Sequence, residues 1–184
     1  MKKFQFLAIA VIVMSIGWSV VNAQPAAGTN SKFTIASDEY SEISEKAINY
    51  LTSFNFDAWA EMLADDVVYM FPDGDVDTRT TLKGKQAVLD WWRNWQKTSG
   101  IKTMTVSEFN HVPFNVTEQL KGGALPGTYN ISYFSSRQEY GKATVSLRMN
   151  FVMHFNAEKK IDRYFTYYDR SKIIQAAGAN ALKK

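Results

Sequence analysis

Lys160-Ile161-Asp162-Arg163-Tyr164-Phe165-Thr166-Tyr167-Tyr168-Asp169 is the stretch whose reading decides the fold. It follows a charged turn, Glu158-Lys159-Lys160, and runs into a polar stop, Arg170-Ser171-Lys172. Its aromatic residues suit a half-buried pleated surface, so residues 161–169 are expected to form a strand. Upstream, residues 143–155 and 128–139 also read as strands, joined by Tyr140-Gly141-Lys142 and by residues 156–160. Joins this short imply antiparallel neighbours. A further long strand is expected over residues 103–116, with Pro113 at a bend or edge and a Gly/Pro loop over residues 121–127.

Before these strands the period changes. Tyr40, Ile43, Ala47, Tyr50, Leu51 and Phe54 recur at helical spacing behind a possible Ser37 or Asp38 cap. Asn55 opens a second short helix whose apolar side is Phe56, Trp59, Met62 and Leu63. Asp65-Asp66 is expected to end the helices, and residues 67–71 to form a strand closed by Pro72-Asp73-Gly74. A short extended piece, residues 78–82, precedes Gly84, which starts a third helix with Ala87, Val88, Trp91, Trp92 and Trp95 on one stripe. A last helical turn, residues 171–177, stops at Gly178. Helices first and strands later is the α+β pattern, with helices packed on one face of an antiparallel sheet.

The 184 residues divide by composition. Residues 1–23 have a Lys2-Lys3 start, an apolar run from Phe6 to Trp18 and a small-residue Val21-Asn22-Ala23 end, the pattern of a secretory signal peptide. Residues 24–36 are expected to be a flexible linker, residues 37–178 one domain, and residues 179–184 a frayed tail. The expectation is an exported protein, periplasmic or secreted, with no stable membrane anchor after cleavage. The chain has no Cys, so it needs neither disulfides nor a cysteine-borne lipid. Lys2 and Lys3 are the leader's only charges, which leaves 19 basic against 18 acidic residues. With that balance and no basic patch interleaved with aromatics, nucleic acid is not an expected partner.

Three short runs carry a resemblance. Leu63-Ala64-Asp65-Asp66-Val67-Val68-Tyr69, Leu82-Lys83-Gly84-Lys85-Gln86-Ala87 and the closing strand stand in the order found in the nuclear transport factor 2-like superfamily, within it the SnoaL-like group. The resemblance covers residues 38–177. It implies a cone: a curved antiparallel sheet wrapped around the N-terminal helices, enclosing an apolar pocket. Such cones serve enzymes, binding proteins and assembly domains, so the fold leaves function open.

Strand parity assigns faces. In residues 143–155, Leu147, Met149, Phe151, Met153 and Phe155 share one face, which must be the buried one, because burying one such side chain contributes about 1.5–3 kcal/mol. Arg148, Asn150, Val152 and His154 fall on the convex side, where His154 reads as a solvent or dimer-interface residue. For the closing strand hydrophobicity alone does not choose. The resemblance turns Tyr164, Thr166 and Tyr168 inward, which leaves Asp169 to cap the turn at Ser171. The same comparison turns Tyr69 and Phe71 inward. The ligand-binding residues expected are Trp59, Tyr69, Phe71, Trp91, Trp95, Met149, Phe151, Met153, Tyr164, Thr166 and Tyr168. The facing of residues 129–137 and of His111 stays open; a lone histidine among apolar and amide residues is more often structural.

Catalysis in such a pocket uses carboxylates whose pKa burial has raised. The ketosteroid isomerases that the chain resembles place an Asp just before Pro72, where this chain has Phe71. Limonene epoxide hydrolases need an Asp at the position of Thr166 and an Arg-x-Asp on a preceding strand, which this chain lacks. Asp73-Gly74-Asp75-Val76-Asp77 starts like a calcium loop but puts Thr78 and Gly84 where the loop needs Gly and Glu. No metal or other cofactor is expected, and no Ser-His-Asp set is evident. The leading expectation is therefore binding of a small apolar or aromatic molecule. The alternatives are an isomerase, cyclase or hydratase using Tyr69, His111 or Tyr168, and a homodimeric assembly module paired through the convex sheet face.

Overall fold

Helix α1 (Glu39–Thr52) turns Ala47, Ile48 and Leu51 into the core, as their spacing requires. Its entry uses Ser37, whose hydroxyl accepts from Glu39 N at 3.3 Å, while the Asp38 side chain makes no cap bond. Helix α2 (Phe56–Ala60) opens on Asn55, whose Oδ1 accepts from Ala58 N at 3.2 Å. It is shorter than its apolar spacing suggests, because Leu63 already belongs to strand β2 (Leu63–Met70). Asp65 and Asp66 therefore do not end a helix; they lie exposed within β2, between its two registers with the neighbouring strand. The structure is a computed structural model and describes residues 31–182 except Val76 and Lys142. The expected leader, and residues 24–30 of the expected linker, lie outside the described residues.

Strand β3 (Thr81–Lys83) leads to helix α3 (Lys85–Thr98). Gly84 between them has φ 89°, a conformation that favours glycine, and donates its amide to Val67 O at 2.8 Å. The long strands follow: β4 (Ile101–Val116), β5 (Gly127–Tyr140), β6 (Ala143–Phe155) and β7 (Ile161–Tyr167), then helix α4 (Ser171–Ala177). With β1 (Phe33–Ile35) they make one curved, unclosed seven-stranded sheet in the order β1-β4-β5-β6-β7-β2-β3. Two irregularities favour the curve: the shift within β2 and a bulge in β4 between Ser107 and Asn110, where Glu108 takes φ 54°.

Three expectations change. The sheet is not wholly antiparallel, since β2 and β7 run parallel, Tyr69 beside Tyr164 and Met70 beside Phe165. Short joins fix direction only between consecutive strands, and these two are far apart in the chain. Residues 33–35 are not linker but strand β1, paired Phe33 to Val116 on the edge of β4. Their side chains are exposed, so main-chain pairing rather than an apolar face makes the strand. The tail is not frayed as far as residue 182: Asn180 Oδ1 accepts from the Arg170 guanidinium and from Leu182 N, and Leu182 packs on the core.

Register assigns the faces. Met149 opposite Phe134, Phe151 opposite Ser132 and Thr166, and Met153 opposite Asn130 and Tyr164 all point inward, toward α1 and α3. Val112, Ile131, Val152 and Phe165 line up on the outer face. His154 belongs to that outer side yet is only 5% exposed, contrary to the surface role expected of it. The loop after β4 covers it: its Nε2 bonds Pro126 O at 3.2 Å and its Nδ1 meets Asp162 Oδ1 at 2.5 Å. Gly127, at φ 137°, lies so close that a Cβ there would collide with the His154 ring.

Candidate functional site

The concave side of the sheet holds a cavity of about 190 Å³. The sheet supplies Met104, Gln138, Met149 and Phe151, Phe71 follows β2, and Tyr168 and Arg170 follow the last strand. The end of α1 gives Leu51 and Thr52, and α3 gives Trp91, Trp92, Trp95 and Thr98, with Ser99 just after it. Helix α4 and the tail close the cavity with Ile173, Ile174, Ala177, Ala179, Ala181 and Leu182.

Of the residues expected to bind ligand, Phe71, Trp91, Trp95, Met149, Phe151 and Tyr168 line this cavity. Trp59, Tyr69, Met153, Tyr164 and Thr166 face inward but are not on its wall; they fill the core beside it. Trp59 makes edge contacts with Tyr69, Trp92 and Tyr164 at 6.4, 6.3 and 6.1 Å, and Tyr69 stacks on Tyr164 at 4.9 Å. Thr166 is committed to the backbone, donating to Met70 O at 3.0 Å. Aromatic bulk has filled the space, so inward facing alone does not make a pocket residue.

The hydroxyls carry a second correction. Buried hydroxyls ordinarily have partners, so inward tyrosines and threonine imply a pocket lined by hydroxyls, but the Tyr69 and Tyr164 oxygens and the Trp59 and Trp92 indole nitrogens are buried without one. Burial raises Tyr69 far above an ordinary phenol, and the nearby Tyr168 and Tyr164 add to this. Thr166 and Trp92 favour its ionised form slightly, but neither stands in bonding geometry. Burial likewise raises Tyr164. Tyr168 is raised by burial first, with Arg170 opposing and Asp73 reinforcing the shift. A phenol held protonated in this way does not serve as a base near neutrality; Tyr168 can donate a hydrogen bond to something in the cavity.

The cavity's remaining polar atoms are mostly engaged. Gln138 accepts from Tyr140 Oη at 2.6 Å and donates to Ser136 Oγ at 3.3 Å. Thr52 and Thr98 bond back to their own helices at Ile48 O and Asn94 O. Among the described residues, none that lines the cavity carries a side-chain carboxylate or imidazole. Asp169 accepts from Ser171 N at 2.9 Å, the turn cap expected of it, and hydrogen bonding from the Ser171 hydroxyl, with this amide, holds its carboxyl below the usual range.

His111 lies elsewhere. Its Nδ1 is 3.0 Å from Ser132 Oγ and its Nε2 is 3.3 Å from Glu45 Oε2 on α1. Hydroxyl, imidazole and carboxylate have the composition of a hydrolase triad, a set the sequence does not display because its members are 21 and 66 residues apart. Ser132, however, is fully buried, its Oγ accepts from Asn130 Nδ2 at 2.9 Å, and none of the three residues touches the cavity. A nucleophile needs room beside it for a reacting atom, so this network fastens α1 to β4 and β5 instead. Among the described residues no group of three or more His, Cys, Asp or Glu is placed to hold a metal ion, and no helix is long and apolar enough to cross a membrane.

Sequence reasoning missed Met104, Gln138, Arg170 and the closing tail. Gln138 shares its parity with Ser136 and Phe134 on a strand whose facing the residues alone left open. Ile173, Ile174 and Leu182 were the only apolar signal in a short alanine-rich end.

Residues 45–164 match the model of the SnoaL-like domain. No curated protein matches the chain. Among solved structures, an NTF2-like protein of unknown function from Burkholderia pseudomallei aligns with a TM-score of 0.57 at 16% identity, over 78% of this chain and 100% of that one. A protein of ketosteroid isomerase-like fold from Catenulispora acidiphila, in complex with trimethylamine, aligns with a TM-score of 0.55 at 14% identity, over 78% and 97%. An LEH-like epoxide hydrolase from M. tuberculosis aligns with a TM-score of 0.52 at 17% identity, over 77% and 90%. At these identities the likeness is one of fold.

Proposed function

The chain belongs to the SnoaL-like domain family, and we propose that it binds one small apolar or aromatic molecule in the cavity under α4. The fold suits either ligand binding or isomerase and cyclase chemistry. The observation that favours binding is the cavity wall, built of tryptophan, phenylalanine, methionine and aliphatic side chains with a few oriented polar groups and, among the described residues, no side-chain carboxylate or imidazole. The test is native mass spectrometry of the purified protein, with Ala177→Trp as the cavity-filling control. A small adduct retained by the wild type and lost from the variant is the expected result. If adducts and ligand-induced thermal shifts are the same in both, this cavity is not the binding site.

A second reading keeps Tyr168 as a hydrogen-bond donor that polarises a substrate carbonyl in an isomerase or cyclase. What favours it is the hydroxyl's place on the cavity wall. Any turnover detected should fall about 100-fold or more in Tyr168→Phe, on the scale of removing one such donor. Turnover untouched by that change, and by His111→Ala, removes both residues from the chemistry.

The leader-like N-terminus supports export as part of this proposal; cell fractionation with intact-mass measurement should find a chain shortened near Gln24. Pairing through the outer sheet face is likewise proposed, on the exposed Val112, Tyr133 and Tyr167 beside Val152. His154, being covered, is not part of that surface. Sedimentation should show a dimer that Val152→Arg dissociates. A monomer at micromolar concentration would end this part of the proposal.

A further inference from the structure

We infer that the ligand is an amphipathic organic anion, an apolar body about one ring in size bearing a single carboxylate, and that Arg170 holds that carboxylate. This rests on the cavity-binding reading above and specifies its ligand.

Among the described residues, Arg170 is the one charged side chain on the cavity wall. Among the described residues it has no carboxylate within ion-pair distance; its guanidinium bonds only the neutral side-chain oxygen of Asn180. Of the other arginines among the described residues, Arg79 lies over the Tyr167 ring, Arg163 donates to Asp162 O, and three meet carboxylates. Arg93 meets Asp57 at 2.8 Å, Arg137 meets Glu139 at 3.4 Å and Arg148 meets Glu108 at 3.6 Å, all on the surface. The arginine that faces apolar walls is thus left with an amide partner. A guanidinium has five donors in a planar fork that matches a carboxylate edge, so one bond to Asn180 leaves most of its capacity unused.

The surroundings support an anion over a cation or a neutral guest. Tyr168 lines the same cavity as Arg170, so its hydroxyl is a second donor available to a guest's carboxylate. Asp73, an acid whose charge acts on that hydroxyl, is already engaged by Thr80, from N at 2.9 Å and Oγ1 at 2.5 Å, and the neighbouring Asp169 accepts from Ser171 N. The rest of the wall is chiefly apolar, where an unpaired charge is poorly solvated and an oppositely charged guest is favoured. Size follows from volume: a cavity of about 150 Å³ takes benzene, so about 190 Å³ accommodates one ring with a short acid side chain.

The test is isothermal titration at pH 7 with phenylacetate, its near-isosteric amide phenylacetamide, and indole as a neutral reporter of the cavity. The expected result is phenylacetate binding at least about 10-fold tighter than phenylacetamide, the scale of a charge-assisted pair. Arg170→Gln should erase that preference and leave indole unchanged. Asn180→Ala, which frees the guanidinium, should keep or raise it; this variant and the wild-type comparison decide the matter even if Arg170→Gln fails to fold. A merely structural Arg170 would instead lower all three ligands together, which overturns the inference. Indole binding without any preference for acid over amide overturns it and leaves the cavity reading standing. A preference that survives in Arg170→Gln overturns Arg170 as the holder. Failure of all three ligands to bind overturns the cavity reading, and the inference with it.

Discussion

Removing the hydroxyl from Tyr69 or Tyr164 should stabilise the protein. Both rings are fully buried, and both hydroxyl oxygens lack a hydrogen-bond partner. A buried polar group left unsatisfied costs about 1–3 kcal/mol, the desolvation it suffers without return. Phenylalanine keeps the stack between the two rings, at 4.9 Å and 21°, and the edge contacts of each with Trp59. Against the gain stands the small void left by one oxygen, worth a fraction of a large-to-small core truncation. The balance for Tyr69→Phe or Tyr164→Phe is a gain of about 0.5–2 kcal/mol, or a Tm higher by roughly 2–6 °C for a domain of this size. The assay is urea unfolding followed by tryptophan fluorescence, with the slope unchanged so that the midpoint reports stability. Because the rings touch, the two changes should not add perfectly. A loss of 1 kcal/mol or more in either variant would refute the reasoning, since it would mean that the hydroxyl holds a bond, to an ordered water or a bound molecule, that stabilises the fold.

Three further outcomes follow from the geometry. Asp162→Ala should cost about 1–3 kcal/mol, because it leaves the covered His154 ring nitrogen without its hydrogen-bond partner, while Asp162→Asn keeps an acceptor and should cost less; equal losses in urea unfolding would contradict the pairing. Asp169 is held below its ordinary 3.8 by the bonds from Ser171, so folding favours its ionised form. Its contribution is then present above that value and disappears as pH falls through the lower folded value; the Tm difference between wild type and Asp169→Ala should be full at pH 6 and shrink below about pH 4, and a gap constant down to pH 2 would contradict the assignment. Gly127→Ala should loosen the cover over His154, read as faster hydrogen exchange in the loop of residues 117–126, with the cavity's ligand affinity unchanged.

Facing was legible in the sequence; depth was not. The alternation in residues 143–155 alone put Met149, Phe151 and Met153 inside, and all three are buried. Yet Met149 and Phe151 border the cavity and Met153 does not, because the aromatic bulk of Trp59, Tyr69 and Tyr164 packs beside it. Period-2 parity holds no information about how far along a cone a residue sits. His154 shows the same limit on the other face. Its parity is outward, but the loop ending at Pro126 and the carboxylate of Asp162 bury it, and neither contact leaves a local signature. Strand β1 and the tail were missed for a different reason. Three exposed residues join a sheet through backbone pairing, and an alanine-rich end closes a cavity with small side chains, so hydrophobic periodicity is weak in both. That position 71 holds Phe and position 166 Thr was plain from the residues; that Phe71 lines the cavity while Thr166 donates to Met70 O was not.

The central claim, that a small aromatic molecule enters the cavity under α4, is tested most directly by methyl NMR. Met104 and Met149 line the cavity, whereas Met153 is buried outside it and Met70 lies in the outer-face row. Titration of methyl-labelled protein with indole should move the Met104 and Met149 signals by the guest's ring current and leave Met153 and Met70 nearly still. Shifts confined to Met70, or no shifts at millimolar indole, would contradict the account.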